Sequence, residues 1–160
     1  MTMTRAFNEL DAESLADISM QGRQRCLTFK GNRRDLWETA LPLLRSPVKK
    51  RHHVRLTAQE RIGPVSGLRA LGSYSMLAAP AISTIATSMD QWKAFQQRDD
   101  FSKTAADDPE SQEVEVWSYA PELFSHGQIV DRLSLFLSLK DNEDERVEAA
   151  MEQMMEAVSW

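Results

Sequence analysis

One cysteine, Cys26, stands alone among 160 residues, so no internal disulfide can brace the chain. The strongest apolar stretches, around Leu77 to Ile82 and Leu133 to Leu139, fall far short of the about eighteen residues that a membrane span requires. No stretch joins a charged start, an apolar middle and a small-residue cleavage site. A reducing, cytoplasmic setting and no membrane partner are therefore expected. Glycine is scarce, and Gly63, Gly67 and Gly72 match neither a Gly-x-Gly-x-x-Gly run nor a Gly-Lys-Ser ending, which excludes those phosphate-cradling loops.

The residues that could carry catalysis do not fall into catalytic patterns. His52 and His53 sit beside Lys49, Lys50 and Arg51. Neighbours on a strand point to opposite faces, and cationic surroundings repel a metal ion, so no metal site and no cofactor are expected. The same cluster suits phosphate contact, or a strand edge protected by lysines. Ser134, His126 and Asp131 contain the ingredients of a nucleophilic triad, but no Gly-x-Ser-x-Gly turn surrounds the serine. The acids of DNEDERVEAAME approach a calcium-loop spacing, yet Arg146 stands where that loop needs glycine. A non-enzymatic protein is expected.

What is present is a division of charge. The net of −5 conceals 11 Lys and Arg against 7 Asp and Glu in residues 1–60, and 8 against 17 in residues 61–160. Asymmetry of this kind commonly separates a polyanion-binding end from a solvating or partner-binding end.

Met3, Phe7 and Leu10 recur at i, i+4, i+7 behind a capping Thr2 or Thr4, which predicts a helix with one packing side and one polar side. The period then changes to two. Ile18 and Met20 share a face, Gln21-Gly22 supplies a turn, and Leu27 and Phe29 share a face on the return, predicting a hairpin with a basic tip. A helix around Leu36, Trp37, Ala40, Leu43 and Leu44, interrupted by Pro42, leads to a boundary at Ser46-Pro47.

Beyond it the pattern predicts a strand at Val54 and Leu56, a helix capped by Ser66 and ended by Pro80, and a short strand from Thr84 to Thr87. Ser88 and Gln91 make a capping box for a helix presenting Met89, Trp92 and Phe95. Residues 99–112 read as an exposed loop, and VEVWSY as a strand in which Val114 and Val116 oppose Glu115, Trp117 and Tyr119. Ile129 to Leu139 reads as a buried helix. Asp141 or Asn142 would cap the last helix, whose stripe is Val147, Met151, Met154 and Val158. Met151, Met154 and Met155 suit core packing or an adaptable partner surface. Trp160 would fold back on that helix or lie at an interface.

The segments MTRAFNELDAESL and SMQGRQRCLTF resemble the recognition helix and wing of MarR-like winged-helix regulators: Thr4, Ala6 and Leu10 fit T-x-A-x-x-x-L, followed by G-R-x-R-x-L-x-F. Ser14 stands where such families usually have glycine to leave the helix. The resemblance, over residues 2–30, implies that Thr2, Thr4, Arg5 and Asn8 face base edges or phosphates and that Arg23 and Arg25 reach out from the wing. The helices that normally precede the recognition helix are absent. Either the true start lies upstream, or the gene is truncated, or another surface covers Met3, Phe7 and Leu10.

From LWETALPLLRSPVKK onward the chain resembles the effector half of winged-helix proteins related to the AbiEi antitoxins, carried by SGLRALGSYSML, TIATSMDQWKAF and IVDRLSLFLSLKDNEDERVEAAMEQMM. Together these imply an α+β protein: a partial winged helix over 1–31, a connecting helix over 32–47 and a mixed α/β domain over 48–160. The expected function is that of a DNA-binding transcriptional regulator or antitoxin-like repressor, binding double-stranded DNA as a homodimer, with a toxin or other protein as a further partner. The alternative is an assembly module that has lost DNA binding.

Overall fold

The computed structural model describes residues 3–56, 62–98, 101–106 and 108–160. It is α+β and divides into two compact units, residues 1–44 with 159–160, and residues 45–158.

The first unit opens with α1 (Met3–Ala12). Its end is a Schellman motif: the Leu15 N–H donates to the Leu10 carbonyl and the Ser14 N–H to the Asp11 carbonyl, both at 2.9 Å. Ser14 takes the left-handed conformation this requires, with φ 59°. A side chain there costs about 1–2 kcal/mol. Ser14→Gly should therefore stabilise the protein by about 0.5–1 kcal/mol, part of the relief being offset by a freer unfolded chain. Urea unfolding followed by circular dichroism would read the gain, and a loss would refute this account of the helix end.

Strands β1 (Ala16–Gln21) and β2 (Gln24–Phe29) form an antiparallel hairpin in which Gln21 faces Gln24. The two turn residues are thus Gly22 and Arg23, one position later than the pattern suggested. Gly22 carries φ +63°, as the first central position of a primed turn demands. Next comes α2 (Arg33–Ala40), capped by Asn32, whose side chain accepts from the Asp35 N–H at 2.9 Å. It stops ahead of Pro42. Trp160 lies 6.3 Å from Trp37, ring to ring.

The second unit is built on a five-stranded sheet: β3 (Val48–Leu56), β4 (Val65–Ser66), β5 (Thr84–Ser88), β6 (Phe101–Lys103) and β7 (Gln112–Trp117), in the order β4-β5-β7-β3-β6. Of its neighbouring pairs, β5–β7 is parallel and the other three are antiparallel. One layer of apolar packing joins Ala86 and Trp117 of the sheet to α3 (Gly67–Tyr74), α5 (Arg132–Leu139) and α6 (Glu145–Glu156) through Leu71, Leu135, Met151 and Met154. A second joins Val54, Ile85, Val114 and Val116 to Trp92 and Phe95 of α4 (Met89–Phe95). The Ser88–Gln91 capping box is formed in full.

Four further expectations differ from the structure. The helix after Ser66 ends at Tyr74 rather than running to Pro80, because the Ser73 and Ser75 hydroxyls donate to the Arg69 and Leu71 carbonyls and compete for helical acceptors. The polar stretch after Asp99 contains β6, whose register sets Lys103 against Val54. Ile129 and Val130 are extended, with the Val130 N–H donating to the Val65 carbonyl, so α5 begins only after the Asp131 cap. Finally, Asp144 caps α6 by accepting from the Arg146 N–H, while Asn142 accepts from the Asp144 N–H, each at 2.9 Å.

Candidate nucleic-acid interface

The helix–hairpin pair of the first unit holds the candidate interface. Its polar side is assembled by one cross-element bond: Arg25 Nη2 of β2 donates to Asn8 Oδ1 of α1 at 2.8 Å. The same guanidinium lies 5.7 Å from the centre of the Phe7 ring. Arg25, expected to reach outward from the wing, thus braces the hairpin against the helix while remaining exposed. Arg5 pairs with Glu9 one turn on, at 2.9 Å, with three-quarters of its side chain in solvent. A surface pair of this kind contributes only about 0.3–0.5 kcal/mol, so it yields easily to a better anion. Thr4 and Asn8 are exposed, as is Arg23 at the hairpin tip. Arg23 has no ion-pair or hydrogen-bond partner among the described residues. Thr2 lies outside the described residues.

The apolar side of this unit is thinly covered. Neither α1 nor α2 buries any residue, and Leu15 and Ala16 are the buried hydrophobics of residues 3–44. Met3, Met20 and Phe29 are 76%, 62% and 54% exposed.

In the second unit the sequence reading passed over a buried ionic cluster. Glu115 is 1% exposed. Its Oε1 accepts from Arg51 Nε and Nη2 at 3.2 and 3.1 Å, and its Oε2 from Ser66 Oγ and Trp117 Nε1 at 3.1 Å each. Burial pushes the Glu115 carboxyl above its ordinary range, against the pull of Trp117, Arg51 and Ser66. Arg51 also reaches Glu113 at 3.7 Å, and Glu113 accepts from the Thr84 hydroxyl at 3.1 Å. The cluster ties β3, β4, β5 and β7 together. The usable signal was the alternation in VEVWSY read against KKRHH: the two strands pair Arg51 with Glu115.

Most of the remaining candidates are engaged in structural contacts. The Ser134 hydroxyl, 5% exposed, accepts from Tyr119 at 2.7 Å, and the Asp131 carboxylate accepts from the Ser134 N–H. His126 is exposed. His52 stacks on Trp92 with ring centres 4.6 Å apart, while His53 faces Glu113 across the sheet. Among the described residues, no group of three His, Cys, Asp or Glu could hold a metal ion. A cavity of about 390 Å³ is lined by Ile62, Gly63, Pro64, Gln91 and Glu122 among others, and its Gln91 Nε2 donates to Glu122 at 3.0 Å. No helix among the described residues is long and apolar enough to cross a membrane. No family model, no curated protein and no solved structure matches the chain.

Proposed function

We propose that this chain is a cytoplasmic, non-enzymatic DNA-binding regulator or antitoxin-like repressor that meets double-stranded DNA through α1 and the β1–β2 hairpin as a homodimer, with a toxin or other protein as a further partner. The observation that carries this reading is the Arg25–Asn8 bond. It holds a basic hairpin against the polar side of a helix on which Thr4, Arg5 and Asn8 are open to solvent. Arginine and asparagine match base edges with paired donors and acceptors, and a tip arginine meets phosphate.

Gel shifts across a salt series test it. Binding should weaken steeply with salt. Arg23→Ala should weaken binding to every sequence and reduce the salt slope by about 1, whereas Arg5→Ala should narrow the gap between preferred and random duplexes. DNA binding unchanged in both variants would reject the assignment.

A second reading is favoured by the thin apolar cover of the first unit: Met3, Met20 and Phe29 would pack against a second copy or another protein. Light scattering that shows concentration-dependent assembly, without salt-sensitive DNA binding, would favour it.

A further inference from the structure

β3 carries six basic side chains, and the sheet treats its two faces differently. On one face Arg51 is paired with Glu113 and Glu115, and Arg55 with Asp108 at 2.6 Å and Glu110 at 3.4 Å. The other face carries Lys50 and His52, and the register sets Lys103 of β6 opposite Val54 on that same face. Neither lysine has a carboxylate of a described residue within ion-pair distance. Lys50 is two residues from His52 along β3 and Lys103 is its diagonal neighbour on β6, each about 7 Å from it, so the two lysines flank the His52 ring on one face. Burial lowers the His52 pKa, and Lys103 and Lys50 lower it further, as their positions beside it in the register lead one to expect. Stacking on the buried Trp92 holds that ring flat.

We propose that Lys50, His52 and Lys103 form a binding site for phosphate groups on the second unit, independent of the helix–hairpin interface. The two lysines stand on either side of the His52 ring with no carboxylate of a described residue to neutralise them, and a dianion seated over the ring can draw both flexible ammonium groups to itself. The opposite face shows the contrast, since its arginines have carboxylates of the protein itself. Trp92 is too buried to stack a base, so the site takes the phosphate and not the nucleobase.

The test uses the full chain, with binding read from the His52 ring resonances by NMR. Pyrophosphate should shift them saturably. Lys50→Gln/Lys103→Gln should weaken binding at least about tenfold, the loss of one charge-assisted hydrogen bond, while the exposed neighbour variant Lys49→Gln should leave it within about twofold. A parallel titration with a duplex oligonucleotide separates the sources. Saturation by pyrophosphate assigns the site to a small phosphorylated ligand, and saturation by the duplex alone assigns it to backbone phosphate. If neither probe shifts the ring, or the double variant binds as the parent does, the lysines merely guard a strand edge and the proposal is overturned. Because the readout sits on β3, this outcome is distinct from failure of the Arg23 and Arg5 tests.

Discussion

Gly63→Ala is expected to lose at least about 3 kcal/mol of stability, the upper end of what overpacking inflicts. The backbone at Gly63 is conformationally ordinary. What excludes a side chain is the neighbour: an added Cβ would sit 1.9 Å from the Ala86 carbonyl oxygen. That oxygen belongs to the sheet backbone and cannot rotate away. The Ala86 N–H donates to the Pro64 carbonyl at 2.9 Å and Val65 pairs with Ile85, so the segment is clamped to β5 directly after the contact. Gly22→Ala is the control. Gly22 has φ +63° and nothing within 4 Å of an added Cβ, so only the left-handed penalty of about 1–2 kcal/mol applies. Urea unfolding followed by tryptophan fluorescence would compare the midpoints at constant slope. A Gly63→Ala protein no less stable than Gly22→Ala would show that the approach is not as close as described.

Glu115→Ala should cost about 3–5 kcal/mol, as when a buried pair is broken from one side. Arg51 is half exposed and can return to water. The Ser66 hydroxyl and the Trp117 indole N–H are buried and cannot, so each is left without its acceptor. Glu115→Gln should do less harm and should change the pH dependence in a definite direction. Burial raises the Glu115 pKa above its ordinary 4.5, so the folded state binds this proton more tightly than the unfolded one. Stability from this carboxyl is fully present below pH 4.5 and is lost as pH rises through the folded pKa. The gap between parent and Glu115→Gln should therefore narrow as pH climbs from 4 toward neutrality, by about 1.4 kcal/mol for each unit by which the pKa is raised. A widening gap would contradict the stated cause of the shift.

The readable parts of this fold were those in which one local device decides the outcome. The Ser88–Gln91 box starts α4 because two neighbouring side chains satisfy each other's backbone donors, whatever lies around them. Ser14 ends α1 in the conformation that the missing glycine implied. Val147, Met151 and Met154 line a stripe that is buried as the spacing predicts. The rest depended on partners distant in sequence. β6 has no apolar alternation and exists because β3 offers it an open edge. Glu115 looks like the polar side of a half-exposed strand until α3, α5 and α6 cover that side and Arg51, 64 residues earlier, supplies the counter-charge. At the candidate interface, Thr4, Arg5, Asn8 and Arg23 could be chosen from residue type and spacing. That Arg25 bonds to Asn8 could not, because it depends on how the hairpin leans on the helix.

The position of β7 in the second sheet also bears on how the protein comes into being. It is the last of the five strands to leave the ribosome, yet it lies between β5 and β3. A nascent chain that has not reached residue 112 therefore holds two strand edges whose shared partner does not yet exist. Pairing across such a separation is slow, and open edges invite association with other chains. Polysomes stalled before this point should display the species most prone to aggregate and most in need of a chaperone.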